Sequence, residues 1–334
     1  RILAFQNVEN IIVLVYTGQN IDSAFEETFI VNSISILEVG PRDGLQSEPE
    51  ILPTEIKKEF ILKTINAGIK QIEVTSFVHP KKVPQMADAE TLVESLPDRD
   101  DVTYIGLIMN QRGFERARDC GIDEVGMVIV STDTYNKKNQ GVTTQESIDN
   151  WLKIAADAKS AGIRTNVVIS CSFGCPYEGE VDPEKIVAIA EQVLQGEPDI
   201  LGLADSVGVA VPKQITNVFS MIKELHPTIP LRTHLHNTRN IGLANAAAAV
   251  EVGVSIIDAS TGGIGGCPFA PKATGNIPTD DLLYMLDRSD VITGVNLRDV
   301  IKTTEWLESQ LGRSVPAMLP KAGIFPENAE INLQ

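Results

Sequence analysis

Two histidines one residue apart, in His234-Leu235-His236, are the clearest chemical signal in the chain. On a strand, residues i and i+2 project from the same face, so both imidazoles can share one ion. The same spacing also suits two hydrogen-bonded histidines with no ion, and the pair alone leaves both readings open. It gains weight because these are two of only four histidines. Asp43, in Arg42-Asp43-Gly44, can add a carboxylate ligand, and Asn276 an amide oxygen. Two imidazoles, a carboxylate and an amide oxygen leave coordination room around Mg²⁺ or Mn²⁺, and Zn²⁺ also accepts imidazole and carboxylate. Taken singly, Asp43 in this setting is more often a turn residue and Arg42 more often a solvated charge.

Glu73 interrupts the apolar run Ile72-Glu73-Val74. A carboxylate there is costly unless paired or ligated. It is either a structural ion pair, with Arg42 as a candidate partner, or part of a reacting site. Asp205, in Leu203-Ala204-Asp205-Ser206, repeats the pattern and serves equally well as a cap for the helix that follows. Cys267 stands beside Gly262, Gly263, Gly265 and Gly266. So much glycine permits φ > 0 and close backbone approach, and suits a loop that closes over a site. A thiol there can act as acid, base or nucleophile when nearby charge lowers its pKa. Cys171 and Cys175 have three residues between them, not the two of thioredoxin-like or ribbon motifs. They read as structural or redox-sensitive thiols, not ligands.

These residues need a frame, and the apolar pattern supplies one. Strand-like runs fall at 33–39, 71–76, 102–108, 124–130, 165–170, 200–204, 231–236 and 255–259. Helical patterns such as 54–67 and 186–194 lie between them, several ending in a glycine before the next strand: Gly68, Gly121, Gly162 and Gly253. Eight strand-then-helix units with short connections predict a closed TIM (β/α)₈ barrel with additional C-terminal helices. No Gly-x-Gly-x-x-Gly opens the first unit, which argues against a dinucleotide-binding sheet. The reading divides the chain into an N-terminal extension of unclear role (1–32), a catalytic barrel (33–312) and a C-terminal tail packed on the barrel (313–334). Residues 282–311 continue as helix with Trp306 and Leu307 on the packing face. In such a barrel function sits where strands end, and that is where the unusual polar residues cluster.

Composition narrows the partners. A net charge of −17 repels nucleic acid and anionic membranes over the surface as a whole, although a local cation can still receive an anionic substrate. No apolar run approaches the ~20 residues that span a bilayer. The stretch 11–16 is a strand's worth, and the first 32 residues hold one Arg and no Lys, so no targeting segment is expected. Four cysteines in 334 residues are no disulfide framework and point to a cytoplasmic enzyme.

Several motifs together resemble the hydroxymethylglutaryl-CoA lyase family of the DRE-TIM metallolyase superfamily. They are Glu38-Val39-Gly40-Pro41-Arg42-Asp43-Gly44-Leu45-Gln46, Thr75-Ser76-Phe77-Val78, Val83-Pro84-Gln85-Met86-Ala87-Asp88, Phe173-Gly174-Cys175-Pro176-Tyr177-Glu178-Gly179, His234-Leu235-His236 and Gly265-Gly266-Cys267-Pro268-Phe269-Ala270. The resemblance runs from about residue 33 to 312. It implies Asp43, His234, His236 and Asn276 as ligands of Mg²⁺ or Mn²⁺, and Arg42, Asp43, Glu73, His234 and Cys267 as catalytic positions. It also implies a CoA thioester substrate, a homodimer through barrel-flanking helices, and cleavage of hydroxymethylglutaryl-CoA to acetyl-CoA and acetoacetate. Such a retro-Claisen cleavage must take a proton from a tertiary hydroxyl and hold charge on a thioester enolate. Arg42 suits the enolate oxygen, and Cys267 or His234 the proton.

Two departures bear on the substrate. Asn237-Thr238-Arg239 stands where the best-known lyases have Asp after the second histidine and a Tyr-Gly pair further on, and resembles a bacterial branch that includes citramalyl-CoA lyases. Lys272 stands where small residues are usual. The alternative chemistry within the superfamily is Claisen condensation, as in isopropylmalate or homocitrate synthase. The Cys267 loop, Leu45-Gln46 and the lack of a long C-terminal regulatory region argue against it.

Overall fold

The computed structural model describes residues 33–266 and 275–326, together with the backbone of three strands nearer the N-terminus. Those strands, β1 (Ile2–Asn7), β2 (Asn10–Thr17) and β3 (Phe25–Val31), form an antiparallel meander in the order β1-β2-β3. Eight further strands follow: β4 (Ser35–Glu38), β5 (Gln71–Ser76), β6 (Thr103–Ile108), β7 (Glu124–Val130), β8 (Arg164–Ser170), β9 (Ile200–Asp205), β10 (Leu231–Leu235) and β11 (Ile256–Ala259). Each pairs in parallel with its neighbours in sequence, and β11 pairs with β4, closing the barrel. The expected fold is therefore the observed one, with strand ends displaced by one or two residues. His236, expected inside its strand, lies one residue beyond it and makes a single antiparallel bridge with Asn276.

The helices are α1 (Thr54–Asn66), α2 (Ala89–Ser95), α3 (Gln111–Asp119), α4 (Asp133–Asn139), α5 (Thr144–Ala161), α6 (Pro183–Leu194), α7 (Pro212–Leu225), α8 (Gly242–Glu251), α9 (Thr279–Asp287), α10 (Leu297–Leu311) and α11 (Leu319–Ala322). Helix α5 shows how sequence sets such limits. Thr143 and Glu146 form a reciprocal capping box at its start, and Gly162 ends it in the left-handed region at φ 71°, where a Cβ would be strained. Trp151, fully buried, donates its indole N–H to the Val193 carbonyl at 2.8 Å and ties α5 to α6. No helix among the described residues is long and apolar enough to cross a membrane.

The main core lies between barrel and helices, filled by residues such as Ile72, Val74, Ile129, Ile169 and Leu203. The barrel interior is part polar. Arg232 on β10 donates to Asn166 on β8 at 2.7 Å over the glycine of β9, and it feels the charge of Glu73 on β5 across the barrel, so it lies in the interior. Alternation then sends His234 inward as well, one layer nearer the C-terminal mouth. A further cluster of Leu45, Phe60, Met86, Ile264, Leu307, Val315 and Ala317 joins α1, α10 and the chain after α10 to the loop following β4. Trp306 tilts against Phe60 with ring centroids 6.2 Å apart, and Arg313 pairs with the buried Glu48. The C-terminal region thus braces the loop that carries Arg42 and Asp43.

Candidate active site

The chain leaves β4 through a single π-helical turn, Gly40–Gly44. The Val39 carbonyl receives the amides of Arg42, Asp43 and Gly44, at 3.2, 2.7 and 3.2 Å. Such π-turns are rare and set neighbouring side chains at angles a regular turn cannot reach. Glycine is required at position 40, since a Cβ there would sit 2.5 Å from Glu38 Oε1 and 3.0 Å from the Phe60 ring. Glu38 accepts from the amides of Gly40 and Thr261 and from the hydroxyls of Thr261 and Thr279, each at 2.8 Å. One buried carboxylate thereby clamps the loop after β4 to the loop after β11. Burial pushes that carboxyl up to about 7, despite the four hydrogen bonds.

Arg42 is buried, not a solvated charge. It donates through Nη1 to Asp43 Oδ1 at 2.5 Å and through Nη2 to Glu73 Oε2 at 2.6 Å. Glu73, the carboxylate inside β5, therefore has the Arg42 partner suggested for it. Burial opposes the Arg42 charge, but Glu73 and Asp43 outweigh it and raise its pKa. Burial likewise pushes Asp43 up, while Arg42, His234 and His236 hold it down to about 2.

His234 and His236 face each other with their Nε2 atoms 3.2 Å apart. The second nitrogen of His234, Nδ1, meets Asp258 Oδ2 at 2.9 Å. A carboxylate on Nδ1 fixes the tautomer and leaves Nε2 bare, as in many metal-binding histidines. Burial and neighbouring His234 push His236 down to about 4, against the pull of Asp43, so it stays neutral near pH 7. Asn276 donates Nδ2 to Asp43 Oδ2 at 2.9 Å and to the Ile264 carbonyl at 3.2 Å, while its buried Oδ1 has no partner. Ligand atoms of Asp43, His234 and His236 all lie within 4.8 Å of one another. Two facing imidazole nitrogens, an ionised carboxylate and an unpartnered amide oxygen form a donor set that fits a divalent cation.

Of the residues singled out in the sequence, the structure brings Arg42, Asp43, Glu73, His234, His236 and Asn276 to one mouth of the barrel. Cys267 lies outside the described residues. Asp205 takes no part in the group. It accepts from the amides of Val209 and Ala210 at 3.0 and 2.9 Å, holding the connection into α7 as a cap does.

Sequence reasoning missed the layer beneath. Arg232 makes a two-pronged pair with Asp258 at 2.7 Å on each arm, and Asn166 donates in turn to Glu124 at 2.5 Å. The resulting chain, Glu124–Asn166–Arg232–Asp258–His234, runs up the barrel to the histidine pair. Two signals were present: Arg232 shares the parity of His234, and Asp258 interrupts the run Ile256-Ile257-Asp258-Ala259. Burial alone would raise Asp258, but Arg232 and His234 hold it below the ordinary carboxylate range.

A (β/α)₈ barrel whose C-terminal mouth joins a carboxylate–guanidinium–carboxylate group to a cation-competent trio places this chain among the TIM barrels with a polar, metal-ready mouth. Residues 33–307 match the HMGL-like family, and the chain belongs to it, within the DRE-TIM superfamily. The (R)-citramalyl-CoA lyase of Chloroflexus aurantiacus is 40% identical over 309 residues, covering 89% of this chain and 97% of that protein. Hydroxymethylglutaryl-CoA lyase YngG of Bacillus subtilis is 37% identical over 284 residues, covering 85% and 95%. Among solved structures, an HMG-CoA lyase from Acinetobacter baumannii in complex with coenzyme A and 3-methylmalate superposes with a TM-score of 0.85 at 35% identity, covering 89% of this chain and 97% of that one.

Proposed function

We propose that the chain is a lyase cleaving a branched 3-hydroxyacyl-CoA thioester, with hydroxymethylglutaryl-CoA as substrate and acetyl-CoA and acetoacetate as products. The observation that carries this reading is the position of Arg42, shared between Asp43 and Glu73 beside the histidine pair. Asp43, His234, His236 and Asn276 would hold Mg²⁺ or Mn²⁺, which supplies Lewis acidity toward substrate hydroxyl and carboxylate oxygens. Arg42 has five N–H donors, of which two are committed to carboxylates, and offers the rest to the developing enolate oxygen. Glu73 fixes the plane of that guanidinium. Cys267 takes the hydroxyl proton and returns it to the enolate carbon, a role closed to His234 once Nε2 faces the cation and Nδ1 faces Asp258.

Citramalyl-CoA is the second reading, favoured by the 40% identity to an (R)-citramalyl-CoA lyase. The divergent Arg239 clips the loop after β10 to the loop after β9, donating to the carbonyls of Val207 and Gly208 at 3.3 and 2.7 Å. Acetyl-CoA release from the two thioesters, with and without Mg²⁺ or Mn²⁺, tests both readings. Hydroxymethylglutaryl-CoA turnover at least about tenfold above citramalyl-CoA turnover supports the first, and the reverse supports the second. Condensation of acetyl-CoA with a 2-oxoacid in place of cleavage would remove both. The same reading includes a homodimer, which light scattering of the purified protein checks.

A further inference from the structure

The connection between β8 and α6 carries Phe173-Gly174-Cys175-Pro176-Tyr177-Glu178-Gly179, which the proposed cleavage does not use. It lies on the side of the barrel opposite β4. Its two thiols, Cys171 and Cys175, pack in one buried cluster, are not joined in a disulfide and are hydrogen-bonded to each other. Cys175 Sγ also accepts from Thr132 Oγ1 at 3.1 Å and from the Tyr177 amide at 3.4 Å, with the Glu178 amide turned toward it as well.

Four donors converging on one sulfur are more than a neutral thiol, a weak acceptor, calls for. The local backbone builds the arrangement. Cys175 and Gly179 exchange both of their main-chain hydrogen bonds, at 2.8 and 2.9 Å, and the loop closed between them turns its amides back on the sulfur. Such a concave set of N–H groups favours an anion. The Cys171 thiol and the other donors accordingly hold Cys175 down to about 5, against the upward push of burial. Cys171 is pinned opposite. Its φ is 57°, its carbonyl accepts from Ser131 Oγ at 2.9 Å, and its amide donates to Ser206 Oγ at 3.3 Å. Cys120 is the internal contrast, since burial and nearby Glu90 push that thiol up to about 11.

We propose that Cys175 and Cys171 form a peroxide-reactive dithiol, a modification site separate from the cation centre. The Cys175 thiolate attacks one oxygen of hydrogen peroxide, the O–O bond breaks, and hydroxide leaves as the sulfenic acid forms. The Cys171 sulfur then attacks that sulfur and expels a second hydroxide. Protons from the Cys171 thiol and the medium convert the hydroxides to water. Two thiols give up two electrons to one disulfide, and one peroxide becomes two waters. Cys175 attacks because it is the sulfur held as an anion. Cys171 resolves because it already touches that sulfur.

The test uses the full chain, reduced and then treated with one equivalent of hydrogen peroxide. Cleavage after Arg164 and Lys185 gives a peptide, 165–185, that contains these two cysteines and no others. The expected result is a peptide lacking two hydrogens, closed to alkylation until dithiothreitol is added. In Cys171→Ser, dimedone should trap a sulfenic acid at Cys175 at least about tenfold faster than at Cys120 near pH 6, a preference lost in urea. Two fully alkylatable thiols in wild-type peptide 165–185 after peroxide would overturn the proposal. So would a disulfide joining Cys175 to a cysteine in another peptide. The wild-type measurement decides the question even should the serine variant fail to fold.

Discussion

Arg42 is held by two carboxylates, so its charge is fixed in place and direction before any substrate arrives. On the proposed reading, replacing it removes an electrostatic contact that is strongest when the enolate forms, and Arg42→Ala should lower kcat by about 10²–10³ or more. The circular dichroism spectrum should keep its native shape, and turnover within tenfold of wild type in a metal-replete assay would refute the role. Glu38 acts through structure. An ordinary glutamate titrates near 4.5 and this one at about 7. Between those values the folded chain keeps a proton that the unfolded chain has lost, so stability falls as pH rises from 4.5 through 7. The full span is on the order of 3 kcal/mol. Glu38→Gln should flatten that decline in urea melts taken across the window; an unchanged slope would assign the effect elsewhere.

At the scale of elements, the π-turn after β4 and the polar layer below the histidines do the positioning. Gly40→Ala would press a methyl into Glu38 and the Phe60 ring and should cost about 1–3 kcal/mol in chemical denaturation. Asp258→Asn tests the lower layer. It leaves Arg232 without its charge partner and frees Nδ1 of His234, so Mn²⁺ affinity measured by calorimetry should fall about 10–100-fold. Wild-type affinity in that variant would mean that His234 orients itself without help. The eight strands and their closure were legible because apolar runs, glycine caps and short connections all point to one architecture. So were the site residues of β4, β5 and β10, where a charged or imidazole side chain follows or interrupts an apolar run. The Arg232–Asp258 pair was not, because a charged residue in a short strand reads as solvent-facing until the barrel turns its face inward. The clamp made by Glu38 was hidden for a related reason, as Thr261 and Thr279 lie more than two hundred residues away in the chain.

For the whole molecule, a cation bound only by the folded state adds stability by mass action. At a hundred times its dissociation constant the gain is about 2.7 kcal/mol, so calorimetry should show Tm rising with Mn²⁺ and falling back on chelation. A Tm indifferent to both would count against the site. The geometry also says where that stability acts. Asp43 follows the barrel's first strand and Asn276 follows its last, and the two side chains touch across the line where β4 meets β11. An ion held there would therefore work as a fastener on the cylinder's join between its opening and closing staves. A ribosome must release nearly all of the barrel before that fastener has both halves to grip. Without it, amide protons along β4 and β11 should be the first in the barrel to exchange.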